Sequence, residues 1–66
     1  MKATINGELR EVPEGLTMQG LLAHIAAPES GIAVAKNDRV VRRAAFAQET
    51  VQEGDRIEII RAVAGG

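Results

Sequence analysis

Met18, Leu21, Leu22 and Ile25 stand at i, i+3, i+4 and i+7, a single apolar stripe in a chain of 66 residues. That spacing lines one side of an α-helix, and such a stripe needs a broad apolar surface to lie on. The flanking segments read as strands and not as a second long helix. Residues 2–12 carry Asn6-Gly7 at their middle, the favoured pair for a two-residue type I′ turn, since both turn positions need positive φ. Ala3 and Ile5 fall on one face of that hairpin, with Leu9 a weaker partner on the returning strand. The small apolar run at 32–36 reads as a central strand buried on both faces. Arg39, Val40 and Val41 form a short returning strand after a turn at Asn37-Asp38. In the last strand, 56–61, Ile57 and Ile59 alternate with Arg56 and Glu58, so one face is buried and Ile60 lies on the solvated one. The order β-β-α-β-(β)-β sets one main helix against a sheet of four to five strands, a two-layer α+β domain.

The helix has legible limits. Thr17 is placed to cap its N-terminus, and Gly20 occupies the third helical position, where a Glu would complete a capping box. Gly20 weakens the helix by up to about 1 kcal/mol relative to alanine. Pro28 and Gly31 stop it near Ala26 or Ala27. Turns are marked at Pro13-Glu14-Gly15 and Gln52-Glu53-Gly54-Asp55, and residues 42–47 allow a short helical turn with Phe46 capping one end of the core.

Composition narrows the function classes. The chain has no cysteine, so neither a disulfide framework nor a thiolate zinc site can brace it. Stability rests on an aliphatic core, since 45% of residues are apolar and Phe46 is the only aromatic one. Nine acidic and eight basic residues leave a net charge of −1, without the basic excess of a nucleic-acid partner. No apolar run approaches the roughly 20 residues of a membrane span, and no signal-peptide core is present, so the chain reads as cytoplasmic with no membrane partner. A substrate cavity of about 300 Å³ or more is hard to build inside so small a core, which argues against a free-standing enzyme.

The residues that bear chemistry elsewhere in proteins have plainer explanations here. His24 is the only histidine and has no second ligand at helical spacing, so it gives no metal site. Glu53 and Asp55, like Asn37 and Asp38, are accounted for by turn chemistry. Arg39, Arg42 and Arg43 form the densest basic cluster, but without aromatic neighbours for base stacking they read as a solvated edge. Ser30 has only His24 as a conceivable base.

There remains the end of the chain, Ala62-Val63-Ala64-Gly65-Gly66. We expect residues 1–61 to form the domain and 62–66 a flexible tail. Gly65 and Gly66 make a slim segment that enters spaces where side chains would clash. The α-carboxylate of Gly66 is ionised at neutral pH, with a reference pKa of about 3.3–3.7. Ile60 and Val63 place apolar groups at the end of the last strand, as a patch that docks a partner and guides the tail.

Taken in order, Ile5-Asn6-Gly7-Glu8, Gly15-Leu16-Thr17 with Leu21-Leu22, Ile32-Ala33-Val34-Ala35 with Val40-Val41, Gly54-Asp55-Arg56-Ile57-Glu58-Ile59 and the terminal Ala64-Gly65-Gly66 resemble the ThiS-type sulfur carriers of thiamin biosynthesis. The resemblance spans essentially the whole chain. It departs where such carriers often have Trp in place of Phe46 and Glu in place of Gly20. It implies a ubiquitin-like β-grasp fold and a chain that is a substrate of enzymes, not itself a catalyst. A ubiquitin-activating-like adenylating enzyme, using ATP and Mg²⁺, would activate the Gly66 carboxylate. A sulfurtransferase or cysteine desulfurase system would supply sulfur, and the resulting thiocarboxylate would deliver it to thiazole synthase. Ala64 and Gly65 would let the tail enter its partners. Three other readings share parts of this pattern: the small subunit of molybdopterin synthase, typically somewhat longer; a conjugating ubiquitin-like modifier; and a TGS-like module binding a ligand or RNA, which would not need an intact terminus.

Overall fold

The computed structural model describes residues 1–28 and 30–61. Strand β1 (Lys2–Ile5) turns through Asn6 and Gly7, at φ 51° and 81°, into β2 (Glu8–Glu11), the type I′ geometry that the Asn-Gly pair favours. The helix α1 (Met18–His24) comes next, then β3 (Ile32–Lys36), β4 (Arg39–Val41), a single 3₁₀ turn at Arg43–Ala45, and β5 (Arg56–Arg61). The strands make one sheet in the order β2-β1-β5-β3-β4. β5 runs parallel to β1 and antiparallel to β3, so the sheet is mixed.

One face of this sheet carries the core. Ala3, Ile5, Val34, Val41 and Ile57 point from the strands toward Met18, Leu21 and Leu22 of the helix, with Val12 and Val51 closing the sides. Phe46 packs half-buried against this cluster, at the edge where the short helical turn was expected to place it.

Two expectations about strands are corrected. The run at 32–36 is not buried on both faces: Val34 is buried, but Ala33 is exposed, because the one helix covers only one side of the sheet. The centre of the sheet is β5 instead. Leu9 pairs with Thr4 on the uncovered face and is 65% exposed, so it adds nothing to the core.

The helix begins as its sequence indicates. Thr17 is extended, with φ −83° and ψ 170°, and its Oγ1 accepts a 3.2 Å hydrogen bond from the Gly20 N–H. A Cβ at Gly20 would stand 3.2 Å from Leu16 Cδ2, so an alanine there would ask the end of that half-buried side chain to give by a few tenths of an ångström. The helix ends slightly before the expected Ala26 or Ala27, with Ile25 as the C-cap. Ala26 takes φ 58°, its N–H donates to the Ala23 carbonyl, and the Ala27 N–H donates to the Leu22 carbonyl. This is a Schellman closure with alanine in the left-handed position that glycine normally fills. Ala26→Gly is therefore expected to stabilise the fold by about 0.5–1 kcal/mol and raise Tm by a few degrees. Thermal unfolding watched by circular dichroism reads this directly, and a lowered Tm would contradict it.

Candidate functional site

The candidate site is the end of β5 together with the chain terminus it leads into. β5 lies between β1 and β3, so the root of the terminal segment is built into the middle of the sheet and not at an edge. Alternation along the strand turns Ile57 and Ile59 toward the helix and leaves Arg56, Glu58 and Ile60 on the open face. Ile60 is 60% exposed, as its position in the pattern requires. Val63, Ala64, Gly65 and Gly66 lie outside the described residues, and with them the expected tail of 62–66.

The surroundings of Ile60 form a low apolar surface. Its cross-strand partner is Ala33, and the next row sets Glu58 beside Ala35, which in turn pairs with Val40. Because the two alanines are short, nothing on this face rises to cover Ile60 or Val40 among the described residues, and Val40 is 79% exposed. Leu9 sits apart from them, across Thr4 and Arg56. Alternation alone identifies Ile60. It sets Val40 and Val41 on opposite faces, but only the register, with Val41 beside Val34 and Val40 beside Ala35, shows that Val40 is the one on the open face.

At the other end of β5 a polar cluster fixes the strand in place. Asp55 is 7% exposed, and its Oδ2 accepts from the Gln52 N–H at 2.8 Å while Oδ1 accepts from Asn37 Nδ2 at 3.0 Å. The Lys36 ammonium lies 3.8 Å from Asp55 Oδ2 and 2.6 Å from Glu49 Oε2, and donates to the Thr50 carbonyl at 2.9 Å. Asn37 Oδ1 accepts from the Arg56 N–H at 2.9 Å. Among the described residues no buried side-chain polar atom lacks a partner, so each group in the cluster is spent on another. Turn chemistry thus explains Asp55 only in part; its second oxygen reaches Asn37 in the neighbouring turn between β3 and β4, which the sequence does not signal.

Asn6 does something similar at the tail end. Its backbone N–H donates to the Ile57 carbonyl at 2.9 Å, and its Oδ1 accepts from the Ile59 N–H at 2.8 Å. The expected type I′ turn is present, but that long-range bond has no counterpart in a turn motif.

The other residues considered from sequence are dispersed. His24 is exposed at the last position of α1, Ser30 is exposed in the loop before β3, and no described hydrogen bond joins them. Arg39, Arg42 and Arg43 are all exposed, as a solvated edge would be. Among the described residues no group of three or more His, Asp or Glu is placed to hold a metal ion. Clefts of about 670 and 370 Å³ lie beside the helix, one toward Phe46 and one toward Arg61, and both open to the surface. No helix is long and apolar enough to cross a membrane among the described residues.

Comparison with known proteins bears on the whole chain. The model of the ThiS family matches residues 3–66. The sulfur carrier protein ThiS of Escherichia coli is 33% identical over 66 residues, covering all of both chains. A thiazole synthase of Paramagnetospirillum magneticum is 35% identical over the same 66 residues, but the chain spans only 20% of that protein's length. The crystal structure of a thiamine biosynthesis protein (ThiS) from Geobacter metallireducens superimposes with a TM-score of 0.89 at 32% identity, over the full length of each chain. The mixed five-stranded sheet with one helix is thus the β-grasp fold that the resemblance implied.

Proposed function

The chain belongs to the ThiS family of sulfur carriers, and from that we propose that it carries sulfur as a thiocarboxylate on Gly66 for synthesis of the thiazole of thiamin. The observation that carries this reading is the end-to-end match with a sulfur carrier protein, whose last residues fall opposite Ala64-Gly65-Gly66. The fold supports it by leading the site's root out of a braced central strand.

The chemistry asks little of this chain's side chains. A carboxylate is a poor electrophile, because its negative charge repels an incoming nucleophile and no good leaving group is present. Attack of a Gly66 oxygen on the α-phosphorus of ATP expels pyrophosphate and leaves an acyl-adenylate. Hydrosulfide then adds to the carbonyl and expels AMP, giving the thiocarboxylate. If the sulfur arrives as a persulfide, the acyl disulfide formed first needs a thiol to cleave its S–S bond. The adenylating enzyme holds the ATP and Mg²⁺, and a sulfurtransferase or cysteine desulfurase system supplies the sulfur. The chain itself is consumed and regenerated as a substrate, in the cytoplasm where ATP is available.

Docking falls to the low apolar surface of Ile60, Ala33, Ala35 and Val40, beside the strand end from which the tail departs. Val63 extends the same contact in this proposal. Thiazole synthase is the acceptor that we propose, since a protein of that name contains a stretch resembling this whole chain. Covalent continuity of two such parts would raise their effective concentration into the millimolar range.

The test is an intact mass after incubation with a ThiS-type adenylating enzyme, ATP, Mg²⁺ and a sulfur donor. Replacement of one oxygen by sulfur is expected, and deletion of Gly66 is expected to abolish it. An unchanged mass for the native chain, with an enzyme that thiocarboxylates a known carrier in the same tube, would overturn the proposal.

A further inference from the structure

The root of the tail is held on one flank by a side chain standing in for a strand. β1 pairs with β5 at only two positions, Thr4 with Arg56 and Ile5 with Ile57. The next residue, Asn6, faces Glu58, and its N–H keeps the parallel pattern by donating to the Ile57 carbonyl at 2.9 Å. In a continuing parallel ladder its own main-chain carbonyl would accept from the Ile59 N–H. Asn6 instead has φ 51° and begins the turn, so its carbonyl leaves the ladder. The side-chain Oδ1 takes over that bond at 2.8 Å.

Beyond Ile59 the strand has only Ile60 and Arg61. On the β3 flank these last residues remain paired, Ile60 with Ala33 and Arg61 with Ile32. On the β1 flank the Asn6 side chain is the last partner among the described residues. From the geometry we infer that Asn6 is a positioning residue for the reaction proposed above. It holds the last residues of β5, Ile59 to Arg61, in the sheet on the β1 flank, so that the adenylating enzyme meets an ordered strand end. An enzyme that meets a loosened root must order it on binding, which weakens binding without altering the chemical step.

The inference rests on the carrier reading, and the variants separate the two. Asn6→Gly keeps a turn able to adopt positive φ at both positions but removes the acceptor. Asn6→Asp keeps both the turn preference and an oxygen at that place. Asn37→Gly serves as the control, because it breaks comparable side-chain bonds at the opposite end of β5. Two quantities are measured for each folded variant: hydrogen exchange of the Ile59 amide, and the steady-state kinetics of adenylation by pyrophosphate release.

For Asn6→Gly, Ile59 exchange is expected to accelerate and KM to rise, each by roughly three- to tenfold, with kcat within about twofold of native. Asn6→Asp is expected to restore most of both, and Asn37→Gly to leave KM unchanged even where it lowers Tm. An unmoved KM in Asn6→Gly, or an equal rise in Asn37→Gly, overturns the positioning role. Unaltered Ile59 exchange overturns it too. A native chain that the adenylating enzyme does not accept at all overturns the carrier reading, and this inference falls with it.

Discussion

A Gly65→Leu chain is expected to unfold at the native Tm, within about a degree, and to lose adenylation by at least two orders of magnitude. The two halves of this result have separate causes. Position 65 lies beyond the last residue of β5, Arg61, and every core residue among the described ones lies before it, so the substitution spares that packing. Surface changes away from packing and caps usually stay within about 0.5 kcal/mol. The reaction is another matter. A leucine adds a branched side chain and restricts φ at the residue next to the carboxylate proposed to react, where glycine imposes neither. Displacing reacting atoms by about 1 Å can cost a factor of about 100, and a side chain that blocks entry displaces them by more. Pyrophosphate release beside a thermal melt measures both halves on one sample. Near-native turnover would show that the adenylating enzyme tolerates bulk at this position, and the terminal glycine pair would need another explanation.

The second large effect concerns the core. Ile57→Ala is expected to remove about 2–5 kcal/mol of stability, a large share of the whole. A domain of this size commands roughly 3–10 kcal/mol in all, at about 0.05–0.15 kcal/mol per residue. Ile57 is 1% exposed and stands in the central strand, between Ile5 on β1 and Lys36 on β3. With neighbours fixed on both flanks and the helix above, little can move in to fill the space. The only aromatic residue, Phe46, lies half-buried at the rim and cannot compensate. Ile57→Val should cost only about 0.5–1.5 kcal/mol, which gives the series a graded control. Urea unfolding of the three chains tests it, and a loss below about 1 kcal/mol for the alanine variant would mean that the core closes over the gap.

The sequence is informative wherever one residue type answers one local demand. Asn6-Gly7 specifies its turn because few other pairs adopt positive φ twice, and Thr17 marks the helix start because its hydroxyl suits a free N–H. The alternation at 56–59 gives both faces of β5 for the same reason. Legibility fails where the deciding partner is remote. Leu9 is apolar and sits in a strand, but only its register opposite Thr4 reveals that it faces solvent. The run at 32–36 suits a strand with two covered faces, and only the placement of α1 on one side of the sheet shows that the other face is left open. Ala26 gives no sign of a left-handed residue, because alanine there is tolerated by the closure around it and not chosen for it. The exposure of Ile60 is legible; the long-range bonds of Asn6 and Asn37 are not, since a turn already explains each residue.

The pairing of β1 with β5 joins strands from opposite ends of the chain and also sets an order of events during synthesis. Until Arg56–Arg61 has left the ribosome, β1 and β3 have no strand between them, and the helix has only fragments of a sheet to cover. Non-local pairing of this kind slows folding, because a long loop must close before any contact rewards it. An incomplete chain therefore stays open to proteases, which attack the unfolded form. The architecture thereby inspects its own product: a copy that reaches the folded state already carries β5, the strand that precedes the terminal glycines in sequence.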